Sequence, residues 1–393
     1  MTRILLLTTT YPNSEDDWTG AFIHSLALAL RKRGFELEAL APSDGTFHGR
    51  RHLDGIPVCR FGYFWPRSWE RLTRGAGGIP ENIAKSLLAR IQIIPMMAVF
   101  IVRTLLALRR NDLIYANWIG AGFVGAIASW LSGKPLVVSF RGDDGYLARD
   151  RTMWKIVTKW VIAQSSHVTV VSQELQDIMK DLGAAPERLS VPRFGVDTSL
   201  FFPGNRNPTE SEPLQGIFVG SLIPKKGLQD LICALASPKF ENVRLIAVGD
   251  GYFASKLKSL AQEKLKKGQV IWRGIEPPAE VAKLMRDADF LVLPSYTEGS
   301  PNVIKEAMAS ALPVVGTSVG GIPDLVIDGE TGLLYNPGDI ESLRKCIQIL
   351  AGDRSTRSKM GSSAKMKLDN SALNWDSTAK DFESIFLRAL EIS

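Results

Sequence analysis

The sequence predicts an α/β protein of two domains, each a doubly wound parallel sheet with helices on both faces. Short apolar runs of strand length alternate with amphipathic stretches of helix length along the whole chain, the pattern of βαβ units. A chain of 393 residues also exceeds what one hydrophobic core organises. Near its middle, "GNRNPTESEPLQ" interrupts the alternation with a polar, proline-bearing segment that has no periodicity.

Taken in order, the start "MTRILLLTTTYP" reads as a buried strand, because its apolar run is too short for a secretory h-region. "FIHSLALALRKRG" follows as a helix and "ELEALAP" as the next strand; "KPLVVSF" and "HVTVVS" are later strands, the second leading into the helix "QELQDIMKDLG". Beyond the polar segment the pattern restarts with GIFVG, VRLIAVG, QVIWRG, FLVLPS and LPVVGT, separated by helices, and ends in short strands near "TGLLYNP". The closing "WDSTAKDFESIFLRALE" places Phe382, Ile385, Phe386 and Leu390 on one helix face. The expected limits are a first domain over 1–205, a second over 206–370 and a terminal helix within 371–393.

Composition is that of an ordinary globular enzyme, with 45% hydrophobic and 22% charged residues, which excludes a disordered chain. Three scattered cysteines, Cys59, Cys233 and Cys346, make neither a disulfide framework nor a zinc site and point to a reducing, cytoplasmic compartment. The net charge of +6 lies in the first half, where 60–110 holds nine Arg and Lys against two acids. Within it, "IQIIPMMAVFIVRTLLALRR" holds an apolar stretch that is shorter than the ~20 residues of a membrane span and is broken by Gln92 and Pro95. Two readings stay open for it: a buried helix of the first domain, or a membrane-facing helix whose Arg67, Arg71, Arg74, Arg90 and Arg103 meet anionic headgroups or an acceptor pyrophosphate. Nucleic acid is not expected, since no aromatic and basic strand platform accompanies the charge.

The chemistry concentrates in "PSYTEGSPNVIKEAMASALPVV" after the strand FLVLPS. Ser300 and Pro301 can serve as N-cap and first helical residue, which would free the N–H groups of Asn302, Val303 and Ile304 for a phosphate. Glu306, one turn further on, can accept hydrogen bonds from a ribose. Glu298 sits where a second negative charge beside phosphate is tolerated only if positive charge develops, as in the oxocarbenium-like state of glycosyl chemistry. "VGSLIPKKGLQDLI" places Lys225 and Lys226 in the loop after the first strand of the second half.

These motifs resemble family 4 glycosyltransferases, retaining enzymes of the GT-B fold, in which two Rossmann-like domains face a central cleft. The family's E-x7-E signature is matched by Glu298, Gly299, Pro301, Asn302, Glu306 and "PVV" at 313–315, its "VG-L---KG" by "VGSLIPKKG", and its later glycine-rich run by 320–334. "GVD" with Phe202 and Pro203 is a further match. The resemblance implies Glu298 and Lys226 as catalytic residues and a nucleotide diphosphate sugar as donor. That donor would be bound by Gly20, Ser221, Lys226, Gly299, Ser300, Asn302, Val303, Ile304 and Glu306. It implies neither metal nor cofactor, and a terminal helix that packs back on the first domain. The implied acceptor is a glycan or lipid-linked sugar of cell-surface polysaccharide synthesis, at the inner membrane face, with Asn117, Arg141 and Asp144 on the acceptor or sugar side.

Departures are Ser221 for arginine, Ala311 for glycine, "YANW" at 115–118 for His-Ala-His-Trp and "RGDD" at 141–144 for His-Gly-x-Asp. Two alternatives remain: a non-catalytic GT-B-like binding protein, motivated by Ser221 and Arg141, and an NAD enzyme, motivated by Gly249, Gly251 and Ala254 in "RLIAVGDGYFA". "DAD" at 287–289 imitates a metal-binding pair but lies at the amino end of a strand, and His24 reads as a packed residue.

Overall fold

The computed structural model describes residues 2–14, 17, 20–75, 78–204 and 213–391. The chain forms two compact units, Met1–Arg193 with Trp375–Ser393, and Phe194–Asn374. The 205/206 limit read from the polar segment lies outside the described residues. Residues 194–204 group with the second unit, where the Val196 N–H donates to Leu373 O at 3.1 Å.

The first unit holds β1 (Arg3–Leu7), β2 (Glu36–Pro42), β3 (Gly49–Leu53), β4 (Ile56–Phe61), β5 (Leu113–Asn117), β6 (Leu136–Phe140), β7 (His167–Val170) and β8 (Leu189–Ser190). Their order is β3-β4-β2-β1-β5-β6-β7-β8, parallel except for the antiparallel β3–β4 pair. β1, β5 and β6 are apolar on both faces, as strands covered by helices on each side must be. The chain winds from β1 towards one edge and then crosses to β5 and the other edge. Its topological switch point therefore lies between β1 and β5, where ligands of such sheets bind beyond the carboxyl ends.

The second unit repeats the scheme with β9 (Leu214–Val219), β10 (Val243–Val248), β11 (Val270–Gly274), β12 (Phe290–Leu293), β13 (Val314–Thr317) and β14 (Gly332–Tyr335). The order is β11-β10-β9-β12-β13-β14, all parallel, so the switch point falls between β9 and β12. Each face of this sheet carries its own apolar cluster, one around Phe218, Leu231 and Phe290, the other around Ile217, Leu291 and Ile304.

The basic segment differs from expectation in two ways. A helical stretch, Leu87–Arg110, runs for 24 residues and is long and apolar enough, by length and composition, to cross a membrane. Gln92 does not break it: the side chain is buried, donates to Trp69 O and accepts from the N–H groups of Arg71 and Leu72. One face, with Met96, Phe100 and Leu108, packs in the core of the first unit, while Leu87, Ile91, Ile94, Val102 and Leu106 are exposed. Not all of the arginine charge is external. Arg60 is buried, donating to Tyr11 O and Pro42 O with Asp44 at 3.6 Å. Arg74 turns its Nε inward, whereas Arg67, Arg71, Arg90 and Arg103 are exposed.

The terminal helix, Trp375–Glu391, belongs to the first unit and buries Phe382, Ile385, Phe386 and Ala389. Leu390 is only half-buried; Ala389, one residue earlier, completes the apolar face. Arg33 and Glu383 pair across to it at 2.6 Å.

Candidate active site

In the second unit two loops meet because their strands are neighbours. After β9 the chain makes a turn, Pro224–Lys226, that ends at Gly227 with φ 71°. A Cβ at Gly227 would lie 1.8 Å from Pro294 O, so only glycine lets this loop close against the end of β12. The Tyr296 N–H donates to Lys225 O at 2.8 Å and seams the two loops. Lys226 and Glu298, 72 residues apart, are thereby joined: Nζ donates to Oε1 at 2.6 Å. Ser295 Oγ donates to the same oxygen at 2.7 Å, and Thr317 Oγ1 fixes Ser295 through its carbonyl at 2.6 Å. Glu298 is 8% exposed, which makes this a largely desolvated ion pair rather than a surface contact.

The helix after β12 begins later than the sequence predicts. It runs Asn302–Ala309, with Pro301 in the cap position at ψ 115° and no side-chain cap. Ser300 is therefore not the N-cap and Pro301 not the first helical residue; the proline ring fixes φ but leaves ψ extended. Ile304 is also corrected, since its N–H is taken by Pro301 O at 3.2 Å. The N–H groups of Asn302 and Val303 have no protein acceptor among the described residues, and a capless helix start carrying two open donors suits an anion.

Glu306 lies one turn along. Burial pushes its carboxyl up to about 7, against the opposing pull of Lys305. Lys305 itself is buried, donates to Phe194 O at 3.2 Å and so points away from the site. Ser221 is exposed in the loop after β9, and Gly299 and Ser300 are half-buried between Glu298 and the helix.

The residues behind the rival readings have structural work. Gly249, at φ 131°, brings its Cα so close to the β9 loop that a Cβ would sit 1.9 Å from Gly220 O. That close packing accounts for the glycine without a dinucleotide. Asp289 accepts from the Gln215 N–H at 2.7 Å and ties β12 to β9. Among the described residues no group of three or more His, Cys, Asp or Glu side chains is placed to hold a metal. His24 is packed between Tyr11 OH and Asp54 Oδ2, both at 2.8 Å.

In the first unit, Gly20 precedes the Ala21–Lys32 helix with φ 76°, and its carbonyl accepts from the Ile23 N–H at 2.9 Å. The sheet brings Asn117, at the end of β5, against Arg141, just after β6: Nη2 and Nε donate to Asn117 Oδ1 at 2.7 and 3.2 Å. Arg141 Nη2 also donates to Tyr115 OH at 2.9 Å. Asp144 has another task. Its Oδ1 accepts from the N–H groups of Arg141 and Gly142, both at 3.0 Å, and its Oδ2 from that of Ile119 at 3.2 Å. Burial raises its carboxyl to about 6 against those bonds, so it staples two loops.

Sequence reasoning placed Lys226 and Glu298 separately and missed both their pairing and Tyr115. Strand adjacency at the switch point was the available signal for the first. For the second it was the place of Tyr115 at the head of "YANW", where the resemblance has His-Ala-His-Trp.

The comparisons agree with this geometry. The model "Glycosyl transferase 4-like domain" matches residues 19–195, and "Glycosyl transferases group 1" matches 205–367. A D-inositol 3-phosphate glycosyltransferase of Corynebacterium efficiens is 31% identical over 307 residues, covering 71% of each chain. A Bacillus subtilis glycosyltransferase assigned provisionally to teichuronic acid biosynthesis is 28% identical over 375 residues, 88% of each. Among solved structures, sucrose-phosphate synthase from Thermosynechococcus elongatus superposes with a TM-score of 0.84 at 20% identity over 100% of both chains. Anabaena HepE, solved with UDP and glucose, gives 0.75 at 22% identity over 98% and 99%. The chain is thus a glycosyltransferase of family 4 with the GT-B fold, related to enzymes of polysaccharide biosynthesis.

Proposed function

We propose that the protein is a retaining, metal-independent hexosyltransferase. It moves a sugar from a nucleotide diphosphate sugar to a glycan or lipid-linked acceptor in cell-surface polysaccharide synthesis. The observation that carries this reading is the Lys226–Glu298 pair at the β9/β12 switch point, beside the two open N–H groups of Asn302 and Val303. In this reading those N–H groups and Lys226 hold the diphosphate, and Ser221 adds a hydroxyl where a guanidinium is absent. Glu306 accepts from the ribose hydroxyls. Glu298 orients the donor sugar and stabilises positive charge as the bond from the anomeric carbon to the diphosphate oxygen breaks. Lys226 balances the negative charge that builds on that oxygen. HepE, a fold neighbour solved with UDP and glucose, supports a UDP-sugar as the first donor to try.

The first unit would take the acceptor and rest on the membrane. Trp65, Trp69, Leu87, Ile91 and Ile94 are exposed large apolar residues beside the exposed Arg67, Arg71 and Arg90, the composition of an interfacial surface.

A thermal-shift panel of UDP, GDP, ADP and their sugars, followed by donor hydrolysis, tests the reading. Stabilisation by one nucleotide series, with slow release of its sugar unaffected by EDTA, is expected. Binding without turnover would favour the non-catalytic alternative, and activity restored only by Mg²⁺ or Mn²⁺ would overturn metal independence.

A further inference from the structure

The helix that opens the nucleotide site, Asn302–Ala309, carries a lysine inside the protein. Lys305 is 1% exposed and stands one residue before Glu306. Its buried neighbours on the helix, Ile304, Ala307 and Met308, are apolar, and an apolar side chain at 305 would fill the same space without the cost of taking an ammonium out of water. Packing therefore does not account for a lysine here. The ammonium has a fixed place instead: Nζ donates to Phe194 O at 3.2 Å and lies 5.9 Å from the centre of the Phe194 ring. Phe194 is itself buried and is the first residue of the second unit. Two residues later the Val196 N–H donates to Leu373 O at 3.1 Å, so the carbonyl that holds Lys305 belongs to a segment tied down on its own account.

A second observation concerns what the charge acts on. Lys305 favours the carboxylate of Glu306 and opposes the effect of burial on that group. The strands flanking the helix, Phe290–Leu293 and Val314–Thr317, carry no charged residue. Of the helices packed on it, Ile322–Leu325 carries Asp324, and Arg354–Asn370 carries Lys365 and Lys367 beside its buried Ala364 and Leu368. Lys365 donates to Asp369 at 2.7 Å and Lys367 to Asp324 O at 3.1 Å.

We propose that Lys305 is a positioning residue of the nucleotide site: held at Phe194 O, its ammonium acts through Glu306 and keeps that side chain available as the carboxylate that accepts from a ribose. Lys305 touches neither donor nor acceptor. The inference rests on the glycosyltransferase reading and deepens it by adding a residue outside the contact surface that sets the pH range in which the nucleotide is held.

The test uses the full chain and separates charge from hydrogen bond. Lys305→Met removes both, Lys305→Gln removes the charge but keeps a donor for Phe194 O, and Lys305→Arg keeps the charge. The Glu306 carboxyl is titrated in the ligand-free protein by carbon-13 NMR, its signal assigned by loss in Glu306→Gln, and UDP affinity is measured by calorimetry from about pH 6 to about pH 9. In Lys305→Met and Lys305→Gln the Glu306 titration should move up by roughly one pH unit, and in Lys305→Arg it should stay. UDP affinity of the two neutral variants should fall roughly five- to tenfold at and below about pH 7 and return to that of the unaltered protein near pH 9. In a Glu306→Gln background Lys305→Gln should leave the pH profile unchanged. An unmoved Glu306 titration in both neutral variants, or a loss of UDP affinity that is equal at every pH, overturns the assignment and makes Lys305 a purely structural residue. Failure of the unaltered protein to bind UDP, GDP or ADP, with the titration moved as expected, would instead sink the nucleotide reading.

Discussion

The two units share the order of their central parallel strands and fill the switch point with different side chains. In the second unit Lys226 meets Glu298 at 2.6 Å, so the cation arrives already compensated. In the first, Arg141 donates to the side-chain oxygens of Tyr115 and Asn117. The sheet fixes where a ligand lies; side chains at equivalent strand ends decide what it must be. A compensated pair suits a site whose charge shifts during reaction.

The sharpest way to break this comparison is to remove one member of the pair. Glu298→Gln should lower transfer roughly a hundred- to a thousandfold while nucleotide affinity stays within a few-fold. Lys226→Ala should cost about a hundredfold in rate. It should also cost about 2 kcal/mol in folding stability by stranding Glu298, less than a fully buried pair because the Lys226 side chain is 20% exposed. The double variant Lys226→Met with Glu298→Gln should recover the stability, read by denaturant titration, but not the transfer. Normal turnover by Glu298→Gln would reduce the pair to a structural clamp.

The units also differ in charge: of the excess of +6, Met1–Arg193 with Trp375–Ser393 carries +5 and Phe194–Asn374 carries +1. At about 1 kcal/mol per basic residue, Arg67→Gln with Arg71→Gln should weaken binding to anionic vesicles by roughly thirtyfold. Added salt should release the unaltered protein in sedimentation. Equal sedimentation with neutral vesicles would assign the patch to acceptor binding alone.

Smaller effects follow from Glu306, whose carboxyl sits near 7 in the free protein. Ribose hydroxyls donate to the carboxylate, so nucleotide binding should release a proton and weaken by up to about tenfold per pH unit below 7. Calorimetry in buffers of different ionisation enthalpy measures that proton. Stability runs the other way: the folded state keeps its proton longer than the unfolded one, so this group's contribution falls as pH rises from about 4.5 to 7. Glu306→Gln should therefore gain relative stability towards pH 8. A proton release that persists in Glu306→Gln would assign it to another group.

Much of this architecture was legible because parallel strands covered on both faces are short apolar runs, and FLVLPS and KPLVVSF announce themselves. The E-x7-E spacing placed Glu298 and Glu306 about the helix start. What stayed hidden depends on pairing in space. Nothing local tells that Lys226 reaches Glu298, that Ser300 is bypassed as a cap, or that Arg60 is internal, since these follow from which strands adjoin and which loop has room. The backbone partners of Asp144 were hidden for the same reason, since they come from loops that only the sheet brings together.

The first unit is assembled from two separated stretches of chain, and its last piece is Trp375–Glu391. During synthesis everything between, including all six strands of the second sheet, leaves the ribosome before that helix. Until it arrives, Tyr115 lacks the Phe382 and Phe386 rings that pack against it, and the grip on Arg141 is incomplete. The second unit, being continuous, is free to finish first. Maturation thus runs against the order of translation: the half begun first is completed last, and a chain stopped short of residue 375 would carry a finished second unit beside an open first sheet.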